Sequence, residues 1–259
     1  MSGFKRLCFS FSVSIFLIYF ILILSLLYFF DAQMFMETVF SKRTLYSIQL
    51  SVLSACVSSF VALIFAVPAA YALSRYEFFG KDIIDTILEL PMVVSPAALG
   101  AMLLIFFNNP IGEWIQENTI RFVFSISGVI LAQFITVLGV ATRLVKSALD
   151  EISPRYEIVA QTLGATPWQA FKTVTLPLLR NGLISATILT WAKALGEFGA
   201  SITLAGSMAM KTETIPVAIY MRLASAQIEQ SVVVILLLIS LGLGLLYLSR
   251  VFLKRRSLC

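Results

Sequence analysis

Apolar residues run along this chain in blocks too long for the buried helices of a soluble domain. Crossing about 30 Å of hydrocarbon takes roughly 20 residues. Six runs meet that length: Phe9–Phe30, Leu45–Leu73, Ile83–Phe107, Ser125–Leu144, Leu183–Ala205 and Ser231–Leu253. The pattern predicts an all-α integral membrane protein of six transmembrane helices. Residues 1–43 would form an N-terminal anchor helix and its external loop, 44–249 a transmembrane domain, and 250–259 a basic tail. Lys5-Arg6 ahead of the first run suits a signal peptide, but the run is long and lacks a small-residue cleavage site, so it reads as a retained anchor.

Between the fourth and fifth runs lies a polar stretch, Arg143 to Gly182, punctuated as two short helices. Ser153-Pro154 supplies a side-chain acceptor and then a residue needing no N–H, a helix start. Gly164 ends that helix. Thr166-Pro167-Trp168-Gln169 starts another, with the threonine and glutamine spaced as a capping box, and Leu176-Pro177 is expected to stop it. One helix carries Val159, Ala160 and Leu163 on an apolar side, the other Trp168, Phe171 and Val174. Helices this short do not fold alone, so the segment reads as a docking surface for a partner.

Composition agrees with the bilayer. Hydrophobic residues make up 59% of the chain and charged residues 13%, far from the roughly one half and one quarter of soluble domains, and mean hydropathy is +0.94. The net charge of +5 admits nucleic acid as a partner, but the basic residues are distributed as a topology signal. With the N-terminus inside, the inner side holds Lys5, Arg6, Arg75, Lys81, Arg143, Lys146, Arg155, Lys172, Arg180, Arg250 and Lys254-Arg255-Arg256. The outer side holds only Lys42, Arg43, Arg121, Lys211 and Arg222. Both termini and the short helices are therefore expected in the cytoplasm. There is no histidine, the three cysteines are scattered, and no Gly-x-x-x-x-Gly-Lys-Ser/Thr phosphate loop occurs. Enzyme chemistry and a metal site are not expected, and energy from ATP would have to come from another polypeptide.

Within the spans, Pro68, Pro91 and Pro96 predict kinks or broken helices, either shape-setting or beside a conduction path. Ala192, Gly196, Gly199 and Ala200 allow close helix approach. Lys193 and Glu197, four apart on one predicted helix face, are candidates for a pathway or gate, or else for a structural ion pair. Glu89 beside Pro91 is a similar case.

The run Glu157-Ile158-Val159-Ala160-Gln161-Thr162-Leu163-Gly164, followed after nine residues by Val174-Thr175-Leu176-Pro177, resembles the EAA loop of ABC-importer permeases. The glycine to Leu-Pro register matches that pattern. Ile158-Val159-Ala160 stand in the Glu-Ala-Ala places, with Glu157 one position early. Glu89 to Pro96, Trp191 to Ala200 (Gly-Glu-Phe-Gly-Ala included) and Thr214 to Tyr220 are similar to the molybdate/tungstate branch, although sulfate permeases carry related sequences. Ser95 stands where that branch has a second proline.

The resemblance implies a permease subunit whose second copy completes the pathway. Two cytoplasmic ATPase subunits would carry ATP and Mg and receive a pair of coupling helices. An external or periplasmic binding protein would deliver the oxyanion, in the cytoplasmic membrane of a prokaryote. Glu157, Val159, Ala160, Gly164, Ala165, Leu176 and Pro177 would carry coupling. Ser95, Thr136, Ser201 and Thr203 are candidate pathway-lining hydroxyls beside Lys193 and Glu197. Two other classes fit less well. A gradient-driven secondary transporter should show paired repeats, and a membrane-tethered DNA-binding helix pair would need more basic residues than Arg155 and Lys172.

Overall fold

The computed structural model describes residues 3–256, with side chains to residue 247, and every regular element among them is helical. In order they are α1 (Gly3–Leu26), continued by a tight turn over Leu27–Phe29, α2 (Ala32–Val39), α3 (Lys42–Arg75), α4 (Lys81–Leu88), α5 (Leu90–Val93), α6 (Pro96–Phe107) and α7 (Pro110–Asn118). They continue with α8 (Ile126–Asp150), α9 (Arg155–Thr162), α10 (Pro167–Ala170), α11 (Leu176–Leu195), α12 (Gly199–Ala205), α13 (Ile215–Ala224) and α14 (Ile228–Arg256). Four are long and apolar enough to cross a membrane: α1 with its turn, α3, α8, and α14 through Tyr247.

The other two expected spans are broken. Ile83–Phe107 is divided between α4–α5 and α6, which meet at 110°. Val94 and Ser95 are both extended, Ser95 because it directly precedes Pro96, and Ser95 caps α6 by accepting from the Ala98 N–H. Leu183–Ala205 is divided between α11 and α12 at Gly196–Phe198. Pro68, by contrast, sits inside an unbroken α3. The basic tail is not a separate segment to residue 256, because α14 runs through it; residues 257–259 lie outside the described part.

α3, α8 and α11 form the centre. Ala55, Ala62, Ala66, Val137, Ala141, Ala194 and Leu195 are buried together there with Trp191, and the small side chains let the helix axes approach closely. Toward one end Ala70, Val145, Leu149, Leu179 and Ala186 continue this core. Toward the other, α12 wedges between α6 and α8 through Ala200 and Leu204. The predicted close approach is real for Gly199, and Gly100 of α6, which the sequence did not single out, closes on Ala200 from the other side. A Cβ on Gly199 would meet the Ala97 nitrogen at 2.8 Å, and one on Gly100 would meet the Ala200 Cα at 2.7 Å. Gly196 has no such neighbour. α1 buries none of its side chains and faces α11 and α14 across an apolar groove of about 720 Å³.

Charged side chains gather at opposite ends of α3, which is about 50 Å long at 1.5 Å per residue. At its start Arg43 grips the buried Glu213 with two bonds of 2.7 and 2.6 Å, and the buried Arg222 donates to Thr44 at 2.9 Å. At its other end α8 includes Arg143 and runs six residues past Leu144, so Lys146 is helical too. Lys146 pairs with Asp85 at 2.7 Å and Arg143 with Glu89 at 2.9 Å. Glu89 is thus an anchor of α4–α5 on α8. The two segments nearly touch at Gly139, where a Cβ would overlap the Leu88 carbonyl oxygen. Gly139→Ala is therefore expected to destabilise the protein by about 1–3 kcal/mol, read as a lowered midpoint of thermal unfolding in detergent.

Candidate functional site

The short helix pair sits at the C-terminal end of α3, beside Tyr71 and Arg75. Ser153 starts α9 by accepting from the Arg155 N–H at 3.4 Å. Gly164 ends it at φ +96°, a left-handed turn that glycine adopts without a Cβ penalty. The Ala165 N–H returns to the Ala160 carbonyl at 3.1 Å. The capping box of Thr166 and Gln169 is formed in both directions, at 2.8 and 3.3 Å.

Leu176-Pro177 does not stop the second helix. Residues Phe171–Thr175 form a π turn in which the Leu176 N–H reaches back to Phe171, and the chain passes unbroken into α11 with Pro177 in its first turn. Proline has no N–H for the helical ladder and its ring crowds the preceding turn, and the widened turn accommodates both. α10 is thus the outermost turn of a longer rod, coupled directly to α11.

Glu157 is the hub of this region. Its carboxylate is buried and accepts from the Tyr71 hydroxyl at 2.7 Å, Arg75 Nε at 3.0 Å and the Thr175 hydroxyl at 2.7 Å. Burial opposes its charge, yet the bonds from Tyr71, Thr175 and Arg75 outweigh that and hold the carboxyl below its usual range. Arg75 also donates to the Leu149 and Ile152 carbonyls at 3.1 and 2.8 Å. One ion pair, 6% and 7% exposed, therefore joins the ends of α3 and α8 to α9 and the π turn.

Glu157 is a strut and is not part of an outer face. That face is apolar: Tyr156, Ile158, Val159, Leu163 and Trp168 are all more than half exposed, Leu163 at 84%. Gly164 is exposed between the two helices, Ala160 and Ala165 are half-buried, and Leu176 and Pro177 belong to the joint with α11. Phe171 turns inward, stacked under Trp168 at 5.6 Å and edge-on to Tyr71 at 5.0 Å. Tyr71, Arg75 and Thr175 were not singled out from the sequence. Arg75, a lone cation in the last turn of an apolar span, was the available signal, and it reads equally as topology.

The second candidate group lies at the α11–α12 break. Glu197 is buried, but α11 ends at Leu195, so Glu197 does not share a helix face with Lys193 and no ion pair joins them among the described residues. Its carboxylate accepts from the Ala200 N–H at 3.0 Å and so caps α12, with Thr136 of α8 beside it. Lys193 is exposed. Thr136 donates to the Gln133 carbonyl at 2.9 Å, Thr203 to the Gly199 carbonyl at 2.7 Å, and Ser201 is buried with no hydrogen-bond partner. Glu197, Thr136, Ser201 and Thr203 share the α8–α12 region, whereas Ser95 is an exposed helix cap.

Long helices with small buried residues, two broken spans and an exposed apolar helix pair at one end define a multi-pass membrane protein built to engage another protein. The chain belongs to the family described as binding-protein-dependent transport system inner membrane component, whose model matches residues 62–257. It is accordingly a type I ABC importer permease, a membrane component that is not itself catalytic. It is 34% identical to the sulfate transport system permease protein CysW of Synechocystis over 75% of this chain and 71% of that one. It is 38% identical to the molybdenum transport system permease protein ModB of Haemophilus influenzae, over 65% and 75%. Among solved structures, a bacterial alginate ABC transporter in complex with its alginate-bound periplasmic protein superposes with a TM-score of 0.77. The identity is 16%, over 98% of this chain and 96% of that one.

Proposed function

We propose that this permease forms, as a homodimer, the pathway of an ATP-driven importer for a tetrahedral oxyanion, molybdate or tungstate. ATP and Mg belong to two cytoplasmic ATPase subunits, and an external binding protein delivers the anion. The exposed apolar face of α9–α10 carries the coupling part of this reading. A patch of Tyr156, Ile158, Val159, Leu163 and Trp168 at the polar end of a membrane protein marks a protein contact. Their unbroken connection to α11 supplies the lever, because movement of α10 must move α11 as a rod. The bias of basic residues supports cytoplasmic termini and a cytoplasmic α9–α10.

The oxyanion class is supported by the molybdenum and sulfate permeases among the relatives, and molybdate or tungstate by the Gly-Glu-Phe-Gly-Ala run at residues 196–200. Sulfate is the second reading, favoured by the CysW and CysT relatives at 34 to 36% identity. Lys193, Glu197, Thr136, Ser201, Thr203 and Ser95 remain the residues proposed to line or gate the pathway. The deciding measurement is ATP hydrolysis in liposomes holding the permease, its ATPase and its binding protein. Stimulation by molybdate and tungstate, with sulfate inert, is expected. Stimulation by sulfate alone would overturn the substrate and keep the importer.

A further inference from the structure

Beside the helix pair, α3 and α11 enclose an apolar groove of about 800 Å³, lined by residues that include Leu63, Val67, Tyr71, Trp168, Phe171 and Leu183. Its lining is almost wholly apolar, and two of its few polar groups are already engaged: the Tyr71 hydroxyl donates to Glu157 and the Thr187 hydroxyl to the Leu183 carbonyl. Water finds few free partners in such a space, and an empty groove forfeits the dispersion contacts of its walls. Along α3 it extends from Phe60 to Tyr76, about 24 Å at 1.5 Å per residue. That is close to the depth of one bilayer leaflet including its headgroup region, roughly 20–22 Å.

Two basic residues stand in helical register with the lining without belonging to it. Arg180 precedes Leu183 by three residues and Thr187 by seven on α11, so it shares the face that lines the groove. Lys172 follows Trp168 by four. Both are exposed, and among the described residues neither is paired with a carboxylate.

We infer that this groove is a binding site for a phospholipid with an anionic headgroup, one acyl chain lying along α3 and the headgroup held by Arg180 and Lys172. The occupant is lipid because the groove runs along α3, which is long and apolar enough to cross a membrane, matches one leaflet in depth, and has the unpaired Arg180 and Lys172 in helical register with its lining. Pro167, Trp168 and Phe171 line it beside the helix pair, so the acyl chain supports the helix proposed to meet the ATPase, with Trp168 belonging to both surfaces. Tyr71, in the groove wall, is the same residue that holds Glu157. The inference rests on the orientation proposed above for the leaflet concerned.

The test is quenching of Trp168 fluorescence in vesicles by phospholipids brominated on the acyl chain, with either phosphatidylglycerol or phosphatidylcholine headgroups. The full chain is compared with Trp168→Phe, so that the difference isolates this tryptophan, which is 69% exposed and whose stack on Phe171 another aromatic ring can keep. The anionic brominated lipid is expected to be preferred roughly tenfold at equal mole fraction, as two basic residues at the headgroup level allow. Arg180→Gln with Lys172→Gln should reduce that preference to about onefold. Equal quenching by both headgroups would make the groove ordinary boundary and overturn the site. An absence of quenching would show protein filling it, and overturn it too. Labelling of Lys172 by a membrane-impermeant amine reagent applied outside intact cells would instead refute the orientation and leave the lipid preference standing.

Discussion

Gly164→Trp is expected to abolish substrate-stimulated ATP hydrolysis in the assembled transporter while the permease still folds and inserts. The argument has two parts. Within the chain, a Cβ at Gly164 meets nothing within 4 Å, so the indole extends away from the protein and displaces none of its neighbours. The only internal cost is the left-handed backbone at φ +96°, about 1–2 kcal/mol for a residue with a side chain, confined to an exposed turn. Outside the chain, the same position lies between α9 and α10, level with Val159, Leu163 and Trp168. An indole there holds any partner off that apolar face. Gly164→Ala separates the contributions, because it carries the strain without the bulk and should retain most of the stimulation. Unfolding temperature and monodispersity in detergent check the membrane fold. A Gly164→Trp transporter that still couples hydrolysis to substrate would refute docking on this face.

The helices were legible where physical signals are local. Apolar length marks α1, α3, α8 and α14, and the capping residues Thr166 and Gln169 mark α10 because a cap acts within four residues. Arg43 and Arg75 stand at opposite ends of α3, each paired with a buried glutamate. What was not legible depends on neighbours remote in sequence. Leu176-Pro177 reads as a stop, but tertiary packing of Leu179 and Thr175 favours continuation through a π turn. Lys193 and Glu197 read as a helical pair only while Gly196 is assumed to be helical. The end of α11 there turns Glu197 toward the N–H groups of α12, a partner no spacing rule points to. Glu157 illustrates the limit most fully, since its three donors come from residues 71, 75 and 175.

Those donors lead to the second large effect. Glu157→Gln is expected to destabilise the α9–α10 region by about 3–5 kcal/mol, the usual result of removing one partner from a buried ion pair. Arg75 would keep its bonds to the Leu149 and Ile152 carbonyls but would face a neutral amide in a site 6% exposed. The loss should be local. Hydrogen exchange would rise across residues 155–175 and coupling would fail, while the core of Ala55, Ala62, Val137 and Leu195 stays protected. Arg75→Met combined with Glu157→Met should recover part of the stability lost by either change alone, because no uncompensated charge then remains buried. Acid supplies an independent check with a definite sign. A carboxyl whose folded pKa lies below its unfolded value contributes its full stabilisation above the unfolded pKa, about 4.3, and loses it as the pH falls through the folded one. The native permease should therefore keep α9–α10 ordered between pH 5 and 7, and part of its loosening below about pH 4 should come from Glu157. Glu157→Gln should be loose throughout and lack that acid component. If exchange across 155–175 in the variant matches the native protein at pH 7, Glu157 is not the strut that joins α3 and α8 to the helix pair.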